Sequence, residues 1–356
     1  MNGPLQKGDI IGHRYEIEKY LDKGGMQYVY VANDKITGRQ VALKTPQNAS
    51  ATKRFRRSAI VAAKVNHPNV AKTLDYVKDG ENRYLIEELI LGKDLRAALL
   101  DKADFTDPFL AAKIFHHLSK GVAAAHHAGV IHRDLKPTNI MVVGDFSLQE
   151  LKITDFGIAK MAEEVLQEAV DGGEASMTTS QTAVGALPYM APEAIEDPKN
   201  VRSPADIWSV GAMMYHLMTG DYPFGQGLKA VPKIIGAEKP SIPSFVTTNP
   251  QFSPLACEIM KIIFQCLEKE PGNRPTADAL VSMCSNLCYT VDAREYGRVN
   301  AYYHNAYGFI TSDNGNIFFH KDSVYGRLPG VGEKVIFSSY RSGDAPRALP
   351  VLALKK

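Results

Sequence analysis

The sequence predicts an α+β protein with a β-rich first part, a helical second part and a small β-barrel at the end. The first part, up to about residue 90, contains short runs rich in β-branched and aromatic residues. From Lys93 to about Cys288, apolar residues recur at helical spacing instead. After Asp292, short strand-like runs return. A chain of 356 residues has room for two or three units of this kind, each with its own core.

Five strands and one helix are predicted in the first part. The turn signals KGG, DKITG and KDGEN separate the strands. The helix follows the strand that ends in VALK, and its stretch RFRRSAIVAAKVNHPNV is basic on one side and apolar on the other. Between Ala49 and Val65 there is neither Asp nor Glu. The predicted strands read YEIEKYL, YVYVAND, RQVALK, AKTLDYV and RYLIEEL.

Long helices are predicted in the second part. The run DPFLAAKIFHHLSKGVAAAHHAG has Asp107 as an N-cap, Pro108 in the first turn and Gly129 just beyond the end. The run ADIWSVGAMMYHLMTG is apolar nearly all round, which predicts a buried helix. A third helix is predicted at SPLACEIMKIIFQCLEK.

The last part predicts a small barrel, since five short strands follow one another within some 60 residues. Turns are expected at DNGN and LPGVG. The link from Cys288 to Arg294 is short, so we expect the barrel to pack near the helical part. The predicted strands read EYGRVNAYY, YGFITSD, NIFFHKDSV, EKVIFSSYR and ALPVLAL.

Composition limits the functional classes. The formal net charge is +2, which argues against a chain coated with nucleic acid while leaving a local basic patch open. No apolar run approaches the length of about 18 residues that spans a membrane. The first ten residues, MNGPLQKGDI, lack the apolar core of a signal peptide. We therefore expect a cytoplasmic protein with no membrane partner.

Three polar side chains carry the candidate chemistry. The segment VIHRDLKPTNIMV places Asp134 and Asn139 five residues apart in a loop, and LKITDFGIAK places Asp155 at the end of a strand. Lys44 of VALK adds a positive charge. A base-like carboxylate, an amide and a second carboxylate are what phosphoryl transfer requires to orient a hydroxyl and hold Mg²⁺.

Taken in order, VALK, HRDLKPTN, DFG, ALPYMAPE and ADIWSVG resemble the motifs of the eukaryotic-like (Hanks-type) Ser/Thr protein kinases of bacteria. The resemblance covers residues 9–289 and implies the bilobal protein-kinase fold. Its β-rich N-lobe would span about 9–91 and its helical C-lobe about 92–289. It also implies an ATP- and Mg²⁺-dependent kinase with a protein substrate, and it leaves a homodimer open.

The resemblance assigns residue roles. Asp134 would be the catalytic base, Lys136 would contact the transferred phosphate and favour Ser or Thr acceptors, and Asn139 and Asp155 would hold the metal. Asp206 would brace the catalytic loop, and Glu193 would form a structural pair with Arg274. The ATP-binding positions it implies are Gly24, Gly25, Val29, Ala42, Lys44, Glu87, Glu88, Leu89 and Ile90.

The chain departs from the family pattern beside Lys44. The phosphate loop reads LDKGGMQYVY, where Asp22 and Gln27 replace two expected glycines. The helix acid that pairs with the lysine would fall at Ser58, which carries no charge. Glu87 takes the usually uncharged gatekeeper position at the back of the pocket. Because a lone buried carboxylate is costly, we predict that Glu87 pairs with Lys44 in place of the helix acid. The alternative is a Glu87 that faces solvent or a backbone amide.

The segment between DFG and APE departs as well. Ala186 occupies the position where the family usually has a Thr that links the substrate loop to the base. The polar run SMTTSQT contains hydroxyl groups that autophosphorylation could modify, with Arg133 as a candidate phosphate partner. An unmodified polar loop is the alternative. The candidate sites are Ser176, Thr178, Thr179, Ser180 and Thr182.

The last part resembles a cold-shock domain, a five-stranded OB-type barrel, over residues 294–354. YGFI and NIFFH correspond to the two strands that bind single-stranded RNA or DNA in that family. Tyr307 and Phe309 share one strand face, as do Phe318 and His320, so four flat side chains can form a stacking platform. Nine basic and five acidic residues from Arg294 onwards give a local charge of +4. The alternative is an aromatic face that packs against the kinase.

Two functions follow from these motifs. The first is an active, autophosphorylating Ser/Thr kinase with a barrel that binds nucleic acid or regulates the kinase. The alternative is a pseudokinase, a nucleotide-binding scaffold whose barrel does the work as a nucleic-acid or protein-interaction module. Retention of Asp134, Asn139 and Asp155 together favours the active enzyme.

Overall fold

The computed structural model describes residues 3–23, 27–47, 52–156, 185–290, 292–343 and 345–355. Within these ranges the chain forms a β-rich N-lobe, a helical C-lobe and a closed five-stranded barrel, in that order. This is the α+β architecture that the sequence predicts.

The N-lobe is built on a six-stranded antiparallel sheet with the order β1-β2-β3-β4-β6-β5. Its core contains Tyr30, Leu43 and Ile86, which are fully buried. Helix α1, Thr52–Ala62, packs Phe55 and Ala59 against the sheet. The strands are β1 Ile10–Ile11, β2 Tyr15–Lys23, β3 Gln27–Asp34, β4 Gln40–Pro46, β5 Thr73–Asp79 and β6 Asn82–Glu88.

The C-lobe is helical and carries a small three-stranded sheet on the side facing the N-lobe. Its helices are α2 Pro108–His127, α3 Pro192–Glu196, α4 Pro204–Thr219, α5 Val231–Gly236, α6 Ser244–Thr248, α7 Ser253–Cys266 and α8 Ala277–Ser285, with one π-helical turn at Arg96–Leu100. The small sheet contains β7 Lys93–Asp94, β8 Ile140–Val143 and β9 Glu150–Ile153.

The two longest predicted helices form as expected. Asp107 caps α2, accepting hydrogen bonds from the amides of Phe109 and Leu110, with Pro108 in the first turn. Helix α4 is buried from Ala205 to Thr219, as its uniformly apolar sequence predicts. These two helices form the centre of the C-lobe and support the loops of the cleft above them.

The barrel closes in the order β10-β11-β12-β14-β13. Its interior is filled by apolar side chains that alternate with outward-facing ones, among them Ile310, Phe319 and Phe337. The five strands predicted from the sequence are present. They are β10 Glu295–Tyr303, β11 Tyr307–Ser312, β12 Gly315–His320, β13 Lys334–Ser342 and β14 Ala345–Ala353.

The barrel packs directly on the C-lobe, which confirms the expectation from the short link. Tyr325 of the barrel is 0% exposed, and its ring lies 5.3–5.5 Å from those of Phe105, Phe245 and Phe252. Its hydroxyl donates to the carbonyl of Met218 at 3.1 Å. The barrel and the C-lobe therefore share one apolar core.

A buried ion pair adds to this junction. The Arg294 guanidinium, at the start of the barrel, donates to both oxygens of Asp107 at 3.0 and 2.8 Å. The exposed fractions of these two side chains are 3% and 0%. Beyond β14, Lys355 donates through its amide to Lys102 and through its Nζ to Leu100, both to backbone oxygens at 2.7 Å.

None of the helices in the described ranges combines the length and the apolar character that a membrane span requires.

Candidate active site

A cleft of about 1270 Å³ lies between the N-lobe sheet and the C-lobe. Every described position that the sequence analysis assigned to ATP, the base or the metal lines it. Gly24 and Gly25 lie outside the described residues. The lining positions are Val29, Ala42, Lys44, Glu87, Glu88, Leu89, Ile90, Asp134, Lys136, Asn139 and Asp155.

The Lys44 ammonium lies between two carboxylates. Its Nζ is 2.7 Å from Glu87 Oε2 and 2.7 Å from Asp155 Oδ1. In the register of β4 and β6, Ala42 faces Glu87, so Lys44 lies two residues along the same face of the sheet. The predicted pair of Lys44 with Glu87 is therefore present, and both partners are buried. Ser58 falls in α1, but its side chain is outside the described part of the chain.

In the cluster of Lys44, Glu87 and Asp155, burial and the neighbouring charges shift each pKa in opposite directions. Burial raises the pKa of Glu87 in spite of the adjacent Lys44. Burial also acts to raise the pKa of Asp155, but the Lys44 charge and hydrogen bond lower it below its usual range. Burial would lower the pKa of Lys44, and the two carboxylates outweigh it and raise that pKa. Lys44 therefore stays an ammonium and Asp155 a carboxylate near neutral pH.

The catalytic-loop side chains converge on Asp134. Lys136 Nζ donates to Asp134 Oδ1 and Oδ2 at 3.1 and 2.8 Å. Asn139 Nδ2 donates to the Asp134 carbonyl at 2.7 Å and to its Oδ2 at 3.0 Å. Because both Asn139 contacts use the amide nitrogen, its Oδ1 stays available as an oxygen ligand. A carboxylate, an ammonium and an amide thus lie at one edge of the cleft.

Asp206 fixes the backbone of the segment that precedes Asp134. Its carboxylate accepts the backbone amides of His132 and Arg133 at 2.9 and 2.8 Å, and it also contacts His126 Nε2 at 2.9 Å. Arg133 has φ +66°, in the left-handed region. Such a conformation persists only where the surroundings fix it, and the two hydrogen bonds to Asp206 do so here.

The pair predicted from Glu193 and Arg274 is present away from the cleft. Arg274 donates from Nη1 and Nη2 to the two oxygens of Glu193 at 2.6 and 2.9 Å. The guanidinium is buried and lies 4.9 Å from the centre of the Trp208 ring. Its remaining donors reach the carbonyls of Glu268, Lys269 and Pro204. This geometry joins α3 to the core of the C-lobe.

One residue of the cleft escaped the sequence analysis. Gln27 was interpreted only as a lost glycine, but its Nε2 donates to Asp155 Oδ1 at 2.8 Å. Asp155 itself has φ +61°, and the following Phe156 packs its ring 4.7 Å from that of His132. The sequence offered no signal for this contact, because Gln27 and Asp155 are 128 positions apart.

The segment expected to carry phosphorylation sites lies between the described ranges 52–156 and 185–290. Ser176, Thr178, Thr179, Ser180 and Thr182 lie outside the described residues. The chain is described again from Gly185, and Ala186 is buried.

A second candidate site lies on the barrel. Tyr307, Phe309 and Phe318 form one aromatic cluster, with ring centres 5.7–6.5 Å apart. Tyr303 extends the cluster, with its ring stacked 5.5 Å from Tyr307, and Arg347 lies 5.3 Å from the centre of the Phe318 ring. Neither Tyr303 nor Arg347 was predicted from the sequence to belong to this platform. His320, the fourth predicted platform residue, contacts Asp322 through its Nδ1 at 3.2 Å.

The rings of the cluster are only partly covered. Tyr303 is 46% exposed, and Tyr307, Phe309 and Phe318 are half-buried. The local charge needs one correction, because Arg294 is buried against Asp107 and does not add to a basic surface.

The fold and the cleft define a bilobal protein with a Lys–Asp pair opposite an Asp–Asn loop, the arrangement that the resemblance implied. The chain belongs to the protein kinase family: the sequence profile of the protein kinase domain matches residues 15–284.

The chain is also similar to curated serine/threonine-protein kinases of bacteria. The chain is 30% identical over 306 residues to a probable serine/threonine-protein kinase of Clostridium acetobutylicum, covering 82% of this chain and 43% of the relative. It is 32% identical over 277 residues to the probable serine/threonine-protein kinase PknB of Corynebacterium glutamicum, covering 74% and 40%. It is 32% identical over 288 residues to the serine/threonine-protein kinase PkaA of Streptomyces coelicolor, covering 76% and 49%. The chain thus spans less than half the length of each of these relatives.

Proposed function

We propose that this chain is an ATP- and Mg²⁺-dependent serine/threonine protein kinase that phosphorylates itself and a protein substrate. One observation carries the proposal. Lys44, Asp155, Asp134 and Asn139 line a single cleft, with Lys44 and Asp155 in the charge states that phosphoryl transfer uses.

Each side chain has one task in this proposal. Asp134 orients the acceptor hydroxyl and receives its proton, and Lys136 neutralises the phosphate in transfer. Lys44 contacts the α- and β-phosphates, while Glu87 holds it in place from the same face of the sheet. The backbone of Glu88, Leu89 and Ile90 contacts the adenine. Self-phosphorylation would fall on Ser176, Thr178, Thr179, Ser180 or Thr182.

The oxygen donors present fit Mg²⁺. Asp155 offers a carboxylate and Asn139 a free amide oxygen, and Mg²⁺ at kinase sites takes few protein ligands and completes its shell with phosphate oxygens and water. Across the described ranges, no cluster of three or more His, Cys, Asp or Glu could hold a metal unaided. Asp155 and Asn139 would hold the Mg²⁺, which would supply positive charge to stabilise the negative charge of the phosphate in transfer.

Transfer of labelled phosphate tests this function. Purified wild type, Asp155→Ala and Asp134→Asn would be incubated with γ-labelled ATP, with Mg²⁺ or EDTA, and with a general Ser/Thr acceptor protein. We expect label on the chain and on the acceptor with the wild type and Mg²⁺ only. Nucleotide binding without transfer by the wild type would support the pseudokinase alternative instead.

A second function is favoured by the aromatic cluster of the barrel, defined by Tyr303, Tyr307, Phe309 and Phe318. We propose that this cold-shock-like, OB-type barrel binds single-stranded RNA or DNA. Partly exposed rings on adjacent strands can stack bases for about 1–3 kcal/mol each, and Arg347, which lies over the Phe318 ring, adds a positive charge beside them. A cluster devoted to packing on the C-lobe would have its rings covered, and Tyr303 is half-exposed.

Binding to a labelled single-stranded oligonucleotide tests the barrel. We expect affinity to fall with salt and to drop about tenfold or more in Phe309→Ala, given the cost of one lost stack. Tyr296→Ala removes an exposed ring outside the cluster and is the matched control. Equal affinity in Phe309→Ala and Tyr296→Ala would contradict the proposal.

The domain boundaries, the cellular location and the oligomeric state are also proposals. We propose that residues 9–289 form the kinase domain and 294–354 the barrel domain. A cytoplasmic location and a homodimer are retained as predictions from the sequence.

A further inference from the structure

Gln27 occupies an unusual place for an uncharged side chain. It opens β3, opposite Pro46 of β4, and is only 6% exposed. Its Nε2 donates to Asp155 Oδ1 at 2.8 Å, the same oxygen that Lys44 contacts at 2.7 Å. Gln27 thus reaches from the phosphate-loop side of the N-lobe to the predicted metal carboxylate.

The other end of the amide has no hydrogen-bond partner among the described residues. Gln27 Oε1 is buried and makes no hydrogen bond to any residue that the structure describes. A buried acceptor left unsatisfied costs about 1–3 kcal/mol, and such an atom in a native site calls for an explanation such as an absent ion or water. This oxygen shares a carboxamide with the nitrogen that contacts Asp155, and Gln27 is one of the residues that line the cleft.

The charge balance of the cluster also calls for a cation. Lys44 supplies one positive charge, whereas Glu87 and Asp155 supply two negative charges when both are ionised. A carboxamide oxygen is a hard ligand of the kind that Mg²⁺ accepts, directly or through a bound water.

We propose that Gln27 is a metal-positioning residue: its Oε1 contributes to the oxygen shell of the nucleotide-bound Mg²⁺, while its Nε2 holds Asp155. This inference rests on the proposed kinase function. It explains why a bulky amide stands where the related kinases have a glycine. The chain supplies from the phosphate loop a side-chain oxygen in addition to those of Asp155 and Asn139.

Magnesium affinity, measured apart from catalysis, tests the proposal. The full chain, saturated with a non-hydrolysable ATP analogue, would be titrated with Mg²⁺ by calorimetry, and the analogue would also be titrated in EDTA. For Gln27→Leu we expect Mg²⁺ to bind about tenfold more weakly, the size of effect seen when a supporting partner of a metal ligand is removed. Metal-free nucleotide affinity should stay within about twofold.

Three further variants sharpen the result. Gln27→Glu restores an oxygen and adds charge, so it should bind Mg²⁺ more tightly than Gln27→Leu. Gln27→Asn keeps the amide but withdraws it by one carbon, so it should lose affinity like Gln27→Leu and replaces it if that variant does not fold. Gln40→Leu is the matched control, because Gln40 also lines the cleft but its Nε2 donates to Glu18.

The possible outcomes distinguish a failure of the Gln27 inference from a failure of the proposed kinase function. Unchanged or tighter Mg²⁺ binding in Gln27→Leu and Gln27→Asn, with a wild type that binds the magnesium–nucleotide complex, overturns the inference alone. Tighter binding of Mg²⁺ to these variants would show that the Gln27 amide occupies the position that the metal takes. A wild type that binds no magnesium–nucleotide complex overturns the proposed kinase function and this inference with it.

Discussion

Lys44 is held by a partner on its own sheet rather than by a partner on helix α1. Ala42 and Glu87 face each other in the register of β4 and β6, so the pair is fixed by backbone hydrogen bonds that do not depend on how α1 is placed. A lysine paired to α1 could be released by a shift of that helix. Here such a shift would leave the lysine and its partner together.

We predict that Glu87→Gln lowers kcat/KM for ATP by about tenfold or more, equivalent to about 1.4 kcal/mol of lost transition-state stabilisation. The variant keeps the shape but removes the charge that fixes Lys44, which then turns to Asp155 alone. Steady-state kinetics at varied ATP would measure the change.

Glu16→Gln provides the control for that prediction, since Glu16 lies on β2 outside the cleft and its carboxylate contacts Lys35 at 3.9 Å rather than Lys44. Its kcat/KM should stay close to wild type. Equal losses in the two variants would contradict a specific role for Glu87.

At the scale of single residues, the sequence predicted those side chains of the cleft whose roles are tied to a motif. The motifs located Lys44, Asp134, Asn139 and Asp155, and the missing acid at Ser58 pointed to Glu87. They could not predict the contact from Gln27 to Asp155, because it depends on side-chain directions set by two lobes folding against each other.

Asp107 makes contacts with both helix α2 and the barrel. It caps the first turn of α2 and carries the buried Arg294 guanidinium from the barrel. Local sequence predicted the cap, since Asp before Pro and an apolar run is a signal within four residues. The ion pair was not predictable, because the two residues are 187 positions apart.

Two substitutions separate these roles. Asp107→Asn retains an oxygen for the amides of Phe109 and Leu110 but leaves Arg294 buried without a counter-charge, so we expect about 3 kcal/mol of lost stability. Asp107→Ala also removes the cap and should cost about 1 kcal/mol more. Urea unfolding of the three proteins measures both steps, and an Asn variant as stable as wild type would exclude the ion-pair contribution.

His216, on the buried helix α4, makes stability depend on pH. Burial, together with the charges of Lys355 and Arg96, lowers the pKa of His216 to about 4. Its Nδ1 is 2.8 Å from the Tyr189 hydroxyl. In the unfolded chain a histidine takes up its proton near pH 6.5, so between about pH 6.5 and 4 the unfolded state binds more protons than the folded one.

The contribution of His216 to the free energy of unfolding is therefore fully present above about pH 7 and is lost as the pH falls towards 4. At pH 5 we expect a penalty of about 2 kcal/mol relative to pH 7. His216→Gln should remove that part of the pH dependence. Urea midpoints at pH 7, 6 and 5 test it, and parallel pH profiles for the two proteins would contradict it.

Across the whole molecule, the barrel behaves as an extension of the C-lobe core. Tyr325 packs among three phenylalanine rings of the C-lobe, and the Arg294–Asp107 pair is buried beside them. The order of the three parts and the closeness of barrel and C-lobe were predictable from strand and helix patterns and a short link. The orientation of the barrel was not, since it depends on which apolar side chains fit together.

We predict that the wild-type C-lobe and barrel unfold in one transition, and that Tyr325→Ala separates them into two. Loss of a fully buried aromatic side chain costs about 3–5 kcal/mol, all of it at the junction. Calorimetry would show the split, and limited proteolysis would cut near residues 286–293.

Two controls accompany this test. Tyr325→Phe removes only the hydrogen bond to Met218 and should cost about 1 kcal/mol without a split. Tyr340→Ala truncates an exposed barrel ring and should unfold like wild type. A single transition in Tyr325→Ala would show that the junction does not couple the two units.

Glu87 also decides which synthetic compounds fit the rear of the cleft. An aryl or alkyl tail that extends past the adenine position would have to pack against the Lys44–Glu87 ion pair without adding a hydrogen bond, which is unfavourable. A tail ending in a primary amine or an amidine would instead place a second cation beside the Glu87 carboxylate. Selective ligands for this chain are therefore expected to be basic at that end, unlike the neutral scaffolds that suit an apolar rear wall.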